Sequence, residues 1–133
     1  MNIKLDSDTI SAMNVFSTIT SVQPFDCIRA DDEMIFVVNQ GQMGLAIGRG
    51  GINVKTLERL LKKSIIIVEY FDDPVKLLEG IFKPKKMLSG YVSTTDGSKT
   101  VEVSVDGRIN LDKIKLGKLL IQRYFNIASI NIR

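Results

Sequence analysis

The chain contains no histidine, no tryptophan and only one cysteine in 133 residues. Without histidine it cannot form the Ser-His-Asp or Cys-His arrangements of nucleophilic catalysis, or a metal site with histidine ligands. The single cysteine, Cys27, allows no internal disulfide, which fits a reducing compartment, and its strand-like surroundings predict a small core residue. We therefore expect a binding protein that is not an enzyme and that needs no metal or other cofactor.

Long apolar runs are also absent. The longest purely aliphatic run, residues 65–68, is far too short to span a membrane, and the first ten residues lack the apolar stretch of an export signal. These features predict a cytoplasmic protein without membrane contact. An apolar content of 44% is sufficient for one compact domain, or for two very small ones.

The charge is distributed unevenly along the chain. Residues 1–72 contain 7 Lys and Arg against 9 Asp and Glu, a net charge of −2, whereas residues 73–133 contain 11 against 6, a net charge of +5. Such an asymmetry is typical of a surface that meets a polyanion, although scattered solvated lysines would give the same count.

The order of predicted elements occurs twice. Apolar periodicity predicts helices over residues 6–20, 52–63, 74–82 and 111–125, and strands over residues 24–30, 33–39, 64–71, 86–94, 98–105 and 127–133. The continuous apolar run of the third strand suggests burial on both of its faces. The sequence thus predicts an α/β protein of two tandem units packed together, residues 1–72 and 73–133.

Matched landmarks support a duplication and locate one difference between the copies. The motif LxRLL at residues 57–61 matches LxKLL at residues 116–120, and Gly41 matches Gly107 after similar strands. The first copy has 16 positions from Gly41 to Leu57, and the second has 9 from Gly107 to Leu116, so seven are missing. The missing segment is the glycine-rich one.

That segment has the sequence GRGG at residues 48–51 and stands directly before an amphipathic helix. Free N–H groups and the helix dipole favour an anion at a helix N-terminus, and glycine lets a phosphate approach closely. A tight turn between helices, in which glycine relieves steric strain, is the alternative explanation of the glycines. A Walker loop would need Lys and Ser or Thr after its last glycine, and a dinucleotide fingerprint would need Gly or Ala in place of Asn53, so neither fits.

Residues 44–54, GLAIGRGGINV, resemble the signature of KH RNA-binding domains in the type II arrangement of helix-strand-strand-helix-helix-strand. The doubled unit, over nearly the whole chain, resembles archaeal NusA-like transcription factors. This resemblance implies that a GxxG loop, residues 48–51, joins two short helices and grips the backbone of about four single-stranded nucleotides, with the bases in an apolar groove. It also implies RNA polymerase or other transcription factors as partners, in elongation or termination on nascent RNA.

The resemblance also implies which residues bind single-stranded RNA. Those carried over are Gly48, Arg49, Gly50 and Gly51, with Ile47 and Val54 lining the groove and Lys55 as a flanking cation. Weaker candidates are Gln42, Asn53 and Arg59.

The second unit departs from the family pattern because its segment DGRINLDKIKLGKLL contains no GxxG. We therefore expect one intact KH domain and one degenerate domain without the loop. Several cations of the second unit could attract an RNA backbone or merely keep a helix soluble, namely Arg108, Lys113, Lys115, Lys118 and Arg123. A further basic cluster surrounds Pro84 and consists of Lys83, Lys85 and Lys86.

Two other classes of function remain open. Asp31, Asp32 and Glu33 could serve a metal-dependent nuclease, but adjacent acids in a turn point in different directions and are typical of turns. Alternatively, the protein could be a ribosome-associated or polymerase-docking module whose loop touches only protein or ribosomal RNA.

Overall fold

The computed structural model of the chain describes residues 7–30 and 32–133. Its helices are α1 (Ser7–Thr20), α2 (Met43–Ile47), α3 (Ile52–Leu61), α4 (Pro74–Phe82) and α5 (Leu111–Phe125), with a 3-10 turn at Arg49–Gly51. Its strands are β1 (Asp26–Arg29), β2 (Glu33–Val38), β3 (Ser64–Glu69), β4 (Met87–Thr95), β5 (Ser98–Val105) and β6 (Ser129–Ile132). The α/β class is confirmed, and the predicted elements agree with these bounds to within about two residues.

The chain divides into two compact units, residues 1–70 and 71–133. Each unit contains one three-stranded sheet, in the order β1-β2-β3 or β4-β5-β6. In both sheets the first two strands are antiparallel and the last two are parallel. The boundary that we placed after Asp72 lies two residues beyond this division.

The parallel pair in each sheet requires a crossover connection, because its two strands run in the same direction. In unit 1 the crossover is residues 39–63, which contain α2, the 3-10 turn and α3, whereas in unit 2 it is residues 106–128, which contain only α5. Unit 2 lacks seven residues before its crossover helix, but that helix is longer. Because α5 has 15 residues and α3 has 10, the two crossovers have similar total lengths. The GxxG loop therefore lies in a connection that unit 2 replaces by one continuous helix.

The core of unit 1 is built around β2, which buries residues 34–38 in succession. Phe36 of this strand stacks on Phe16 of α1 with a distance of 4.4 Å between ring centroids, and Leu57 of α3 is fully buried in the same core. The expectation that β3 is buried on both faces holds in part: Ile65 and Ile67 are buried on one face and Val68 on the other, whereas Ile66 is half-buried. Since β3 lies at the edge of the sheet, β2 takes the central place.

In unit 2 the helices α4 and α5 pack on each other and on the sheet. The fully buried residues of this core are Leu77, Leu78, Phe82, Val101, Leu120 and Ile121. Polar side chains join β5 to β6: Thr100 Oγ1 lies 2.8 Å from Ser129 Oγ, and Asn131 Nδ2 donates to Glu102 Oε1 at 3.1 Å. Unit 2 thus has a complete core of its own sheet and helices.

Candidate nucleic-acid interface

The GxxG loop joins the C-terminal end of α2 to the N-terminal end of α3 and contains three residues with positive φ. Gly48 has φ 78° and ψ 170°, Gly50 has φ 61° and ψ 19°, and Gly51 has φ 74° and ψ 20°. The N–H of Gly51 donates to the carbonyl of Gly48 at 3.1 Å, which closes the turn. Residues other than glycine rarely adopt these conformations, so the sequence GRGG is what permits this sharp reversal.

Close packing around residue 48 also requires a glycine there, because neighbouring side chains leave no room for a Cβ atom. A Cβ added at Gly48 would lie 2.8 Å from Asn53 Nδ2 and 3.1 Å from Ile52 Cγ2. The same Asn53 amide donates to the carbonyl of Leu45 at 3.2 Å. One side chain of α3 therefore packs under the loop and holds the end of α2.

The beginning of α3 differs from that of α4 and α5. Asp73 caps α4 by accepting from the N–H of Val75 at 2.9 Å, and Asn110 caps α5 by accepting from the N–H of Asp112 at 2.7 Å. The N-cap of α3 is Gly51, which has no side chain to accept such a bond. A side-chain oxygen therefore does not occupy the positive end of α3, and an anion can approach it.

Exposed cations accompany this helix end. Arg49 lies at the tip of the loop, Lys55 lies three residues after Ile52 on α3, and Arg59 lies four residues further along the same exposed face, in the last turn of the helix. Among the residues that the structure describes, none of these three cations forms an ion pair with a carboxylate. Their charges are thus free to meet phosphates.

Two exposed aliphatic side chains flank the same loop. Leu45 of α2 is 58% exposed and Ile52 at the start of α3 is 55% exposed. Ile47 and Val54, which we expected to line a groove, are half-buried and pack against the core of unit 1. The sequence analysis missed Leu45 and Ile52. Both residues are aliphatic and belong to the glycine-rich segment, and Ile52 lies outside the apolar stripe of α3. This combination could have indicated that they are exposed.

Other contacts fix the connection on the sheet. Ala46 of α2 is fully buried, and α2 contacts both α3 and β3. The carboxylate of Glu69, at the end of β3, accepts a hydrogen bond from the N–H of Gly41 at 2.9 Å. Gln42 is exposed before α2. The structure thus brings Arg49, Lys55 and the loop glycines together on one connection of unit 1.

The acidic turn proposed for a nuclease gives no support to that function. Asp31 lies outside the described residues, and in residues 7–30 and 32–133 no group of three His, Cys, Asp or Glu side chains could hold a metal ion. Asp32 is exposed, and its carbonyl accepts from the N–H of Ser64 at 3.0 Å. Of the helices in the described part of the chain, none has the length and apolar character that a membrane span requires.

Comparison with known proteins decides the family. The profile of the KH domain matches residues 12–85, from α1 through the end of α4. A protein of Halobacterium salinarum, named "Probable transcription termination protein NusA", is 30% identical over 142 aligned positions that cover 99% of each chain. The chain belongs to the KH-domain family of archaeal NusA-like proteins.

Other NusA-like relatives are longer than this chain. The protein of the same name from Methanocaldococcus jannaschii is 39% identical over 80% of this chain, and that from Methanococcus vannielii is 32% identical over 82%. These alignments span 58% and 63% of the relatives' own lengths. The crystal structure of APE1850 is similar with a TM-score of 0.83, at 28% identity, over 97% of this chain and 100% of that one. These similarities confirm the expected NusA-like fold of KH-type units.

Proposed function

We propose that the protein binds single-stranded RNA through the GxxG loop and the residues beside it. The observation that carries this proposal is the start of α3, where a glycine N-cap leaves the positive helix end open and Arg49 adds an exposed charge. Membership of the KH-domain family supports the same ligand. Residues 1–72 form the KH domain that carries this site, and residues 73–133 form a degenerate KH domain without it.

In this proposal phosphates and bases meet different parts of the site. Phosphates contact the loop backbone at Gly48, Gly50 and Gly51 and the charges of Arg49 and Lys55, while bases lie against aliphatic side chains. The exposed ones are Leu45 and Ile52, and Ile47 and Val54 line the floor where they remain partly accessible. Because the aliphatic surface requires unpaired bases, duplex RNA is a poor ligand. No covalent bond is made or broken, so the protein is not an enzyme.

The names of the NusA-like relatives support a role in transcription. We infer that the RNA is nascent transcript, that RNA polymerase or other transcription factors are the protein partners, and that the protein acts in the cytoplasm. Binding to emerging RNA would let such a protein influence elongation or termination.

Competition binding tests this function on the full chain. A fluorescein-labelled single-stranded RNA of mixed sequence, measured by anisotropy, should bind at near-physiological salt and be displaced by unlabelled single strands more than about tenfold better than by duplex of equal length. Equal competition by duplex and single strand would indicate simple electrostatic attraction. Absence of RNA binding would instead favour a module that docks on protein.

A further inference from the structure

Two basic clusters that are about 20 residues apart in the sequence form one patch in unit 2. The N–H of Asp106 donates to the carbonyl of Lys86 at 2.9 Å, and Lys113 Nζ donates to the carbonyl of Lys83. A Cβ added at Gly107 would lie 3.2 Å from Lys85 Nζ. The segment from α4 to β4 is therefore joined to the segment from β5 to α5. We call the cations gathered there the basic patch, which consists of Lys83, Lys85, Lys86, Arg108 and Lys113.

The positive charge of the basic patch is largely uncompensated. Its two segments, residues 83–86 and 106–113, hold five cations and two carboxylates, Asp106 and Asp112, which gives a net charge of +3. In the described part of the chain none of the five cations forms an ion pair with a carboxylate, and all except the half-buried Lys113 are exposed. A polyanion would therefore gain contacts here without breaking existing ion pairs.

The basic patch is not a second copy of the GxxG loop. The side chain of Asn110 accepts from the N–H of Asp112 at 2.7 Å, so the start of α5 is already capped where the start of α3 is open. Four of the five cations are lysines, which contact phosphates as point charges without fixed geometry. Side chains would therefore hold any phosphate bound here. A nucleic acid would bind without regard to its base sequence.

Exposed aliphatic side chains stand beside the basic patch as they do beside the GxxG loop. Leu88, two residues after Lys86, is 60% exposed, and Leu111, at the start of α5, is 62% exposed. These values match those of Leu45 and Ile52, at 58% and 55%. Unit 2 thus repeats the combination of free cations and aliphatic surface, which suits single-stranded nucleic acid better than duplex, without the glycine backbone.

We propose that the basic patch of unit 2 is a second contact site for the phosphodiester backbone of single-stranded RNA, separate from the GxxG loop. This inference rests on the proposed function of unit 1. RNA held by unit 1 is at high effective concentration for unit 2 of the same chain, so even weak contacts at the basic patch increase the affinity for longer RNA.

The test compares the salt dependence of RNA binding between full-length variants. Charge removal by Lys83→Gln, Lys85→Gln and Lys86→Gln spares the bonded side chain of Lys113, since only the backbone carbonyls of Lys83 and Lys86 take part in the contacts. With an RNA of about 16 nucleotides, the slope of log affinity against log salt should become shallower by about 2, because each single-strand phosphate contact contributes about 0.7. With an RNA of about four nucleotides, which fills only the GxxG loop, the variant should bind as the parent does.

A matched control removes three exposed lysines elsewhere, as Lys62→Asn, Lys76→Gln and Lys99→Gln. This control should keep the parental slope of log affinity against log salt, because it lowers the net charge of the protein without removing a cation from the basic patch. Arg108→Gln alone, a smaller change that preserves the fold, should reduce the slope by about 0.7. Thermal melts of all variants show that they are folded.

Each outcome separates this inference from the proposed function. If the parent binds RNA and the patch variant keeps the slope of the control, the basic patch does not contact RNA. If the parent protein does not bind RNA at all, the proposed function is wrong, and the inference that rests on it is wrong as well. If RNA binding is unchanged but binding of poly-glutamate is lost, the patch recognises an acidic protein segment and the inference is overturned.

Discussion

Asn53 of α3 donates a hydrogen bond from its side-chain amide to the carbonyl of Leu45 in α2, at 3.2 Å, across the base of the GxxG loop. This bond joins the two helices whose ends define the loop. The sequence suggested Asn53 as a weaker candidate for RNA contact, whereas the structure uses one of its donors within the protein. We therefore infer that Asn53 positions the loop.

Removing this bond should affect both stability and binding. We expect Asn53→Ala to lower the free energy of unfolding by about 1 kcal/mol and to weaken RNA binding on the order of fivefold, because the loop is no longer held in its binding conformation. Asn131→Ala removes a comparable amide bond, to Glu102 at 3.1 Å in unit 2, and serves as the control. Equal RNA affinities of the two variants would show that the Asn53 bond does not position the loop.

The glycines of the loop should differ in their tolerance of a side chain. Gly48→Ala should destabilise the protein by about 2 to 4 kcal/mol, because its φ and ψ are nearly restricted to glycine and the new Cβ would meet Asn53. Gly50→Ala should cost only about 1 kcal/mol, since its left-handed conformation is less costly and nothing lies within 4 Å of the added Cβ. Chemical denaturation of both variants gives this order. The reverse order would contradict the loop geometry.

The exposed aliphatic residues should contribute to binding and not to stability. Leu45→Ala and Ile52→Ala should each weaken single-stranded RNA binding about fivefold, near 1 kcal/mol, through lost apolar contact with bases, and should change the unfolding free energy by less than about 0.5 kcal/mol. Leu60→Ala is the matched control. Leu60 is 50% exposed on the same helix, about 12 Å beyond Ile52, and lines a groove with residues of α1. Loss of RNA binding in the control would place the bases elsewhere.

Metal ions and nucleotides should not affect the folded protein. The chain has no histidine and one buried cysteine, and its glycine loop lacks the lysine of a Walker motif. Thermal melting curves recorded with EDTA, Mg²⁺, Zn²⁺ or ATP should therefore coincide. A rise in melting temperature of several degrees with one of them would reveal a site that binds it in the folded state.

Apolar periodicity was sufficient to predict the elements of this fold other than α2 and the 3-10 turn, but not every buried position. The periodicity of residues 6–20 predicts Ile10 on the apolar face of α1, yet it is 46% exposed, and Thr9 is buried with an exposure of 7%. The more complete burial of β2 than of β3 depends on the order of strands in the sheet, which pairing across the chain determines. Such differences arise from tertiary packing, which local patterns do not encode.

The position of the candidate site could be predicted because three glycines directly before an amphipathic helix indicate an exposed backbone turn at a helix start. The detailed structure of the site could not be predicted in the same way. The short helix α2 contains Gly44 and has only five residues, so residue patterns did not indicate it, and it entered the prediction only through the resemblance to KH domains. The hydrogen bond from Lys113 Nζ to the carbonyl of Lys83 joins distant segments and has no sequence signal. The sequence therefore predicted the local backbone conformation of the loop, but it did not predict side-chain contacts between distant segments.

In the proposed function the GxxG loop itself grips the RNA backbone. Arg49→Asp with Gly50→Asp places two carboxylates at the exposed tip of the loop, and aspartate tolerates the left-handed conformation of Gly50. The matched control, Ser98→Asp with Lys99→Asp in an exposed hairpin of unit 2, makes the same change in net charge. The control should melt close to the parent because its altered side chains are exposed, and the loop variant should lose no more than about 1 kcal/mol through the left-handed conformation at position 50.

The deciding measurement is the equilibrium affinity of these two full-length variants for an RNA of about four nucleotides at one fixed salt concentration. We expect the loop variant to lose at least about a hundredfold in affinity, near 3 kcal/mol, because charge-assisted phosphate contacts are replaced by repulsion. The control should stay within about threefold of the parent. A folded loop variant that binds this RNA as tightly as the control would contradict the account and place the RNA site elsewhere on the protein.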